Sequence, residues 1–305
     1  MPAFDSATAA VVSAAFDKLR AEIAVTTHLR SRLLAWLEQL AGSPRLETYF
    51  EHPYAYPLLE LPLWVGESVG GPAADSEFLV DITFSNLCGY YFIRLLDDVM
   101  DADSATDPQL LAVATFLQVH IQRPYQRYFP GDHPFWDTFR AVCTLTADVT
   151  LRDADLKTVT AEDFRAIASQ KVCGAKIPVA AACYRCGRPD LIPGWFRFVD
   201  SLGQPHQMLN DLMGWFKDVR HDRRTFLLSE AASGTEPGEP AEAWIVRTGV
   251  AWALSQVEGW LDDAAAAAPL SNRSALAFVE QRLATLEEVR GKVEPGLRAL
   301  QTVLP

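Results

Sequence analysis

Basic side chains are in short supply: 27 Lys and Arg stand against 39 Asp and Glu, a formal net charge of −12. That deficit argues against a surface tracking a phosphate backbone, so no nucleic-acid partner is expected. A small phosphorylated ligand remains open, because bound cations invert the local sign. Cysteines are few and odd in number: Cys88, Cys143, Cys173, Cys183 and Cys186. With no secretory start, they read as reduced thiols of a cytoplasmic protein rather than a disulfide framework. Cys183-x-x-Cys186 has no second pair and no nearby His, so it reads as helix packing before zinc or redox chemistry. No apolar run reaches the roughly 20 residues that cross a bilayer, so no transmembrane segment is expected. Alternating β-type runs and Asn-Gly hairpins are missing too.

What the chain does have is 49% hydrophobic residues, enough for a large core, set almost throughout at a helical period. Residues 6–24 and 27–41 read as amphipathic helices, the second capped by Thr26 or Thr27. Residues 43–75, rich in Pro, Gly and aromatics (Tyr54, Tyr56, Trp64), read as an irregular wrap with at most one short helix. A long helix follows over 76–101, then a turn at 103–108. Helices over 109–129 and 135–150 come next, the first closed by Pro130-Gly131. Thr160-x-x-Asp163 resembles a weak capping box opening a helix that reaches Gly174 or beyond, with Pro178 expected to kink or break it. Residues 193–219 read as one long helix bent at Pro205. A loop at 234–240 precedes closing helices over 241–267 and 271–302. With no internal repeat and no boundary between two cores, the expectation for 1–305 is one all-α domain of about ten helices.

Two polar patches interrupt this apolar pattern. The first is Leu95-Leu96-Asp97-Asp98-Val99-Met100-Asp101, which ends the long helix with three carboxylates. Asp97 and Asp101 fall about 40° apart on a helical wheel. Thr83, Asn86 and Tyr90 share their face, flanked by Phe84 and Tyr91. Paired carboxylates over an aromatic wall suit a divalent ion at the mouth and an apolar, transiently cationic group within. The structural alternative is a solvated helix end with ordinary core aromatics below it. The second patch lies within 203–218. Measured around the wheel from Asn210, Gly214 falls at ~40°, Gln207 at ~60°, Asp218 at ~80° and Asp211 at ~100°. One arc therefore carries two amides, two carboxylates and a residue without a side chain.

Asp97-Asp98-Val99-Met100-Asp101 resembles the aspartate-rich motif of the class I isoprenoid synthases: prenyl diphosphate synthases, squalene and phytoene synthases, and terpene cyclases. Gln207-x-x-Asn210-Asp211 is similar to the second aspartate-rich motif of the chain-elongating branch. Asn210-Asp211-x-x-Gly214-x-x-Lys217-Asp218 is similar to the ND-x-x-S/T-x-x-K-E pattern of terpene cyclases. Residues 203–223, with Gln207, Asn210, Asp218, Arg220 and Arg223, resemble the matching helix of phytoene synthases. The resemblance covers about residues 78–230. The separation of its two motifs, from Asp97 to Asn210, is usual for this fold.

The resemblance implies an all-α bundle around a central cavity into which both motifs face. It implies three Mg²⁺ ions, with Mn²⁺ as a substitute: Asp97 and Asp101 would hold two, and Asn210 and Asp218, with Asp211, a third. Asp97, Asp98, Asp101, Asn210 and Asp218 would form the catalytic set. Arg165, Lys171, Gln207, Arg220, Arg223 and Arg224 would bind the diphosphate end of a linear prenyl diphosphate of C15 to C25, and Tyr90, Phe84 and Asn86 the chain. A homodimer is implied by the same analogy. The departures are specific. Gly214 stands where a metal-binding Ser, Thr or Asp is usual, and Asp218 replaces Glu. No Gly-Gly-Lys-Arg stretch precedes the first motif, and no Arg-Arg pair follows it, which disfavours simple isopentenyl addition. No Tyr follows Tyr184, so the C-terminal Arg-Tyr pair of bacterial cyclases is missing.

The leading expectation is a Mg²⁺-dependent terpene synthase releasing a cyclic or rearranged product and diphosphate. The alternative is a prenyltransferase passing the allylic group to a non-isopentenyl acceptor, or a head-to-head condensing synthase. Residues 96–103 are close in form to the acidic motif of a prenyltransferase of moenomycin biosynthesis. A third possibility, favoured by Gly214, is a non-catalytic isoprenoid-binding subunit.

Overall fold

The computed structural model describes residues 4–69, 75–100, 107–236, 239–269 and 272–301; Asp101, with the rest of 101–106, lies outside them. Helix α1 (Ser6–Ile23) opens where Asp5 accepts the Thr8 amide at 2.7 Å. Helix α2 (Thr27–Ala41) starts after Thr26 without a side-chain cap and closes on Gly42, whose φ of 60° is the left-handed stop that glycine takes without strain. Among the described residues, the wrap that follows holds a 3₁₀ turn, Leu46–Tyr49, and α3 (Leu61–Ser68). Helix α4 (Ser76–Met100) runs unbroken to the first acidic motif.

Prolines account for most departures from the expected boundaries. Helix α5 is Leu111–Gln122, shorter than the expected 109–129. Pro124 donates no hydrogen bond, and the chain tightens into a 3₁₀ turn, Tyr125–Arg127. Helix α6 extends over Phe135–Asp155, past the expected 150. Thr146 and Thr150, poor helix formers, bond back to the carbonyls of Val142 and Thr146 at 2.9 and 2.8 Å instead of interrupting it. Helix α7 (Ala161–Lys171) begins at Thr160, whose hydroxyl accepts the Asp163 amide. Pro178 does not kink that helix. It sits in the first turn of a new one, α8 (Lys176–Arg185), where its missing N–H has no partner to lose. The expected 193–219 helix is two helices, α9 (Ile192–Ser201) and α10 (Gly203–Arg220). The Pro205 ring would clash with the carbonyl four residues back, at Ser201, which is where the helix breaks.

Helix α11 (Phe226–Gly234), capped by Thr225, is absent from the periodic pattern of the sequence. The next stretch is helical over its expected length as α12 (Ala241–Trp244), a π-helical turn (Ile245–Gly249) and α13 (Val250–Ala267). Helix α14 (Arg273–Gln301) starts on a buried Asn272, which accepts the Ala275 amide at 2.6 Å. No strand occurs among the described residues.

Backbone contacts group these elements into two units, Met1–Ala141 with Gly174–Ile192, and Val142–Cys173 with Pro193–Pro305. In the first, α4 packs between α1 and α5, and α3 packs on α8. In the second, α10 is the hub, touching α7, α11 and α13. Gly203 is what lets α10 meet α7: a Cβ there would lie 2.3 Å from the Ala168 carbonyl oxygen. All five cysteines are free thiols. Burial pushes the Cys183 thiol up to about 12, far from the thiolate that metal binding or exchange requires. Among the described residues no helix is long and apolar enough to cross a membrane.

Candidate functional site

Helix α4 contributes the first acidic group within the first unit. Its first half is buried almost without interruption, from Phe78 to Cys88, so the polar residues there must find partners inside the protein. Asn86 does: its amide donates to the Leu58 carbonyl at 2.7 Å and holds the wrap against the helix. Tyr90 pairs its hydroxyl with that of Tyr49 on the 3₁₀ turn, and Phe50 meets the Tyr90 ring edge-on at 5.2 Å. Phe84 turns elsewhere, between the Lys18 ammonium, 5.1 Å from its centroid, and His120 on α5. Asn86 and Tyr90 therefore share a surface facing the wrap, and Phe84 belongs to the α1 and α5 side.

The neighbouring carboxylates of the motif separate in the same way. Asp97 is exposed, whereas Asp98 is buried and accepts the Arg94 guanidinium at 2.8 Å, one turn back on the same helix. Burial works against the charge of Arg94. Asp98, with Tyr49, Tyr90 and Asp97 nearby, outweighs it and leaves the guanidinium more basic than usual. Asp98 is thus neutralised within the protein, and Asp97 is the described carboxylate of the motif presented outward. Asp101 lies outside the described residues.

Helix α10 carries the second group within the other unit. Residues 207, 211, 214 and 218 recur every three to four positions and so form one stripe. The Gln207 amide donates to Asp211 at 2.9 Å. Asp211 and Asp218 are both buried. Burial pushes the Asp211 carboxyl up to about 7; Gln207 and Lys171 oppose that shift, and Asp218 and Asp153 add to it. Gly214 lies under Asp218: a Cβ at 214 would come 3.2 Å from the Asp218 Oδ2. The glycine leaves room for that carboxylate to fold back along the helix. Asn210 lies beside the stripe and is exposed, with its amide 3.4 Å from His206 Nε2.

The cations named from the sequence are used differently. Lys171, the last residue of α7, pairs with Asp153 of α6 at 2.5 Å, close enough to Asp211 to favour its charged form. Arg223 approaches Asp218 at 3.9 Å, and its backbone amide donates to the Asp218 carbonyl. Arg220 lies over the exposed Phe216 ring at 4.1 Å. Arg224 pairs with Asp222 at 3.2 Å, and the Arg165 Nε donates to the Ala161 carbonyl of its own helix. Lys171, Gln207, Asp211 and Asp218 are thereby brought together. Arg165, Arg220 and Arg224 make other contacts. Sequence reasoning missed Arg94, Tyr49 and Asp153. Only Arg94 carried a local signal, since a cation four residues before an acid on a helix forms a pair.

Among the described residues no group of three or more His, Cys, Asp or Glu side chains is placed to share one ion. The donor chemistry still suits magnesium. Asp97, Asp211 and Asp218 are carboxylate oxygen donors, and burial holds the Asp211 carboxyl up at about 7, a state that an arriving cation would reverse.

No protein-family model and no curated protein sequence matches the chain. Solved structures do. A decaprenyl diphosphate synthase from Rhodobacter capsulatus superposes with a TM-score of 0.66 at 15% identity, covering 91% of this chain and 96% of that one. A geranylgeranyl pyrophosphate synthetase from the archaeon Geoglobus acetivorans gives 0.61 at 13% identity, covering 92% and 99%.

Proposed function

We propose, starting from a chain that has the all-α fold of the isoprenoid synthases, that this protein is a prenyltransferase acting on a linear prenyl diphosphate. The allylic group would pass to an acceptor other than isopentenyl diphosphate. The observation that carries this reading is the α10 stripe, in which Gln207, Asp211 and Asp218 lie with Lys171 against a glycine-made crossing of α7 and α10. Two structural neighbours named as prenyl diphosphate synthases share the fold, and that favours transfer over cyclisation. The residues that chain-elongating enzymes use for isopentenyl diphosphate are missing from the sequence, and that favours another acceptor.

Asp97 and Asp101 of the first motif, and Asp211 and Asp218 with Asn210 on α10, would hold Mg²⁺. When bound, it would withdraw electrons from the allylic C–O bond and stabilise the departing diphosphate. The chain's own residues have separate tasks. Lys171 and Arg223 present positive charge to diphosphate oxygens. Gln207 orients Asp211 through its amide. Arg94 withdraws Asp98 from solvent and leaves Asp97 outward. Terpene cyclisation is the second reading, favoured by the cyclase-like form of residues 210–218.

Incubation with Mg²⁺ and C10, C15, C20 and C25 diphosphates, with and without acceptor alcohols or phosphates, separates the two. Diphosphate release that requires the acceptor, with a prenylated adduct by mass spectrometry, is the expected result. A volatile hydrocarbon without acceptor would make the cyclase reading correct. No diphosphate release in any combination would leave an isoprenoid-binding subunit.

A further inference from the structure

Helices α6 and α7 are tied by two ion pairs from adjacent residues of α6. Arg152 reaches Asp163 in the first turn of α7 at 3.0 Å, and Asp153 reaches Lys171 at its last residue at 2.5 Å. The first pair joins two helix ends and touches nothing else in the candidate site. The second ends on the ammonium whose charge reaches buried Asp211. Asp153 and Lys171 are each about one-third exposed, at 31% and 32%, so their charges meet both the site and solvent. A lysine stem has four rotatable bonds and costs substantial entropy to hold in one place. Lys171 follows the point where Gly203 lets the α7 backbone settle onto α10, so its Cα is placed by packing and its ammonium needs a second anchor.

We infer that Asp153 is a positioning residue, holding the Lys171 ammonium beside the Gln207–Asp211 pair so that it faces an arriving diphosphate. The inference rests on the diphosphate reading given above. It differs from a mere helix clamp in a definite way. A clamp acts through α6–α7 rigidity, and Arg152 would serve as well as Asp153. A positioning residue acts only through Lys171, so its effect vanishes once Lys171 is gone.

The test is calorimetric binding of inorganic diphosphate, in the presence of Mg²⁺, to the full chain and its variants, with melting temperatures recorded alongside. Lys171→Met is expected to weaken binding about tenfold, the order of one lost charge-assisted contact. Asp153→Asn should weaken it about fivefold, and Asp153→Asn in the Lys171→Met background should add nothing further. Asp153→Glu should recover most of the loss, and it keeps the test informative if the Asn variant folds poorly. Arg152→Gln should bind like the unaltered protein. Unchanged or tighter binding by Asp153→Asn, an additive double variant, or an equal loss in Arg152→Gln would each overturn the inference while leaving the diphosphate reading intact. Failure of the unaltered protein to bind diphosphate would overturn that reading, and the inference with it.

Discussion

The acidic end of α4 and the acidic face of α10 look alike as strings of letters and differ as chemistry. On α4 the buried carboxylate, Asp98, has its counter-ion on its own helix one turn away, and the exposed one, Asp97, is directed to solvent. On α10 the two carboxylates are both buried, and their cations come from outside the helix, Lys171 from α7 and Arg223 from the turn beyond. The α4 pair is therefore compensated before any ligand arrives. The α10 pair is not fully compensated, since Asp211 holds its proton up to about pH 7. A buried acid in that state favours a cation, and it confers ligand dependence where the α4 pair confers stability.

The largest expected effects are on turnover. Asp97→Ala and Asn210→Ala are each expected to lower kcat by ~10²-fold or more, with helicity and melting unchanged, because both side chains are exposed and their loss leaves no cavity. Retention of near-normal turnover in either variant, measured by diphosphate release, would remove that residue from the site.

Stability separates the two helices next. The Asp211 carboxyl is pushed up to about 7 from a usual 3.8, so the folded chain binds more protons than the unfolded chain between those values. Its contribution is greatest at low pH and is lost as pH rises toward 7, by a few kcal/mol at most. Asp211→Asn should flatten this slope and raise the melting temperature at pH 8. Added Mg²⁺ should stabilise the parent protein at pH 8 more than the variant. A slope that is the same in both would show that Asp211 is not the group responsible.

On α4 the corresponding change is the loss of an ion pair. Asp98→Ala leaves Arg94 without its partner and is expected to cost ~1–2 kcal/mol, below the range for a fully buried pair because Arg94 is partly exposed. Asp97→Ala should cost almost nothing, and equal losses in chemical denaturation would erase the distinction drawn between the two residues. The smallest effect belongs to Gly214→Ser. Its Cβ would press the Asp218 carboxylate at 3.2 Å, and that flexible group yields by a few tenths of an ångström. The fold should survive, and half-saturation by Mg²⁺ should move by no more than about threefold, the scale of a small local adjustment.

Much of the helical framework was legible because its causes are local. Thr160 carries its own cap, and the long α4 pattern needs no information from elsewhere. Prolines were harder, since the same ring breaks a helix at Pro205, opens one at Pro178 and ends one near Pro124. Helix α11 escaped because it is short and its cap, Thr225, precedes only nine residues. In the candidate site, a helical wheel put Gln207, Gly214 and Asp218 on one arc, and the structure keeps them on one stripe. It also put Asn210 on that arc, and the structure leaves it exposed beside the stripe.

Sequence alone determined that this chain is of the all-α class, that acidic clusters lie at 97–101 and 210–218, and that the residue types there are oxygen donors suited to a hard cation. Those facts depend on period, spacing and side-chain chemistry, which the order of residues already contains. Tertiary structure decided which acids are buried and which cations answer the pair on α10. Burial and counter-ions come from segments far apart in the chain, such as Asp153 and Lys171 near Asp211, and their energies do not exist until packing excludes water.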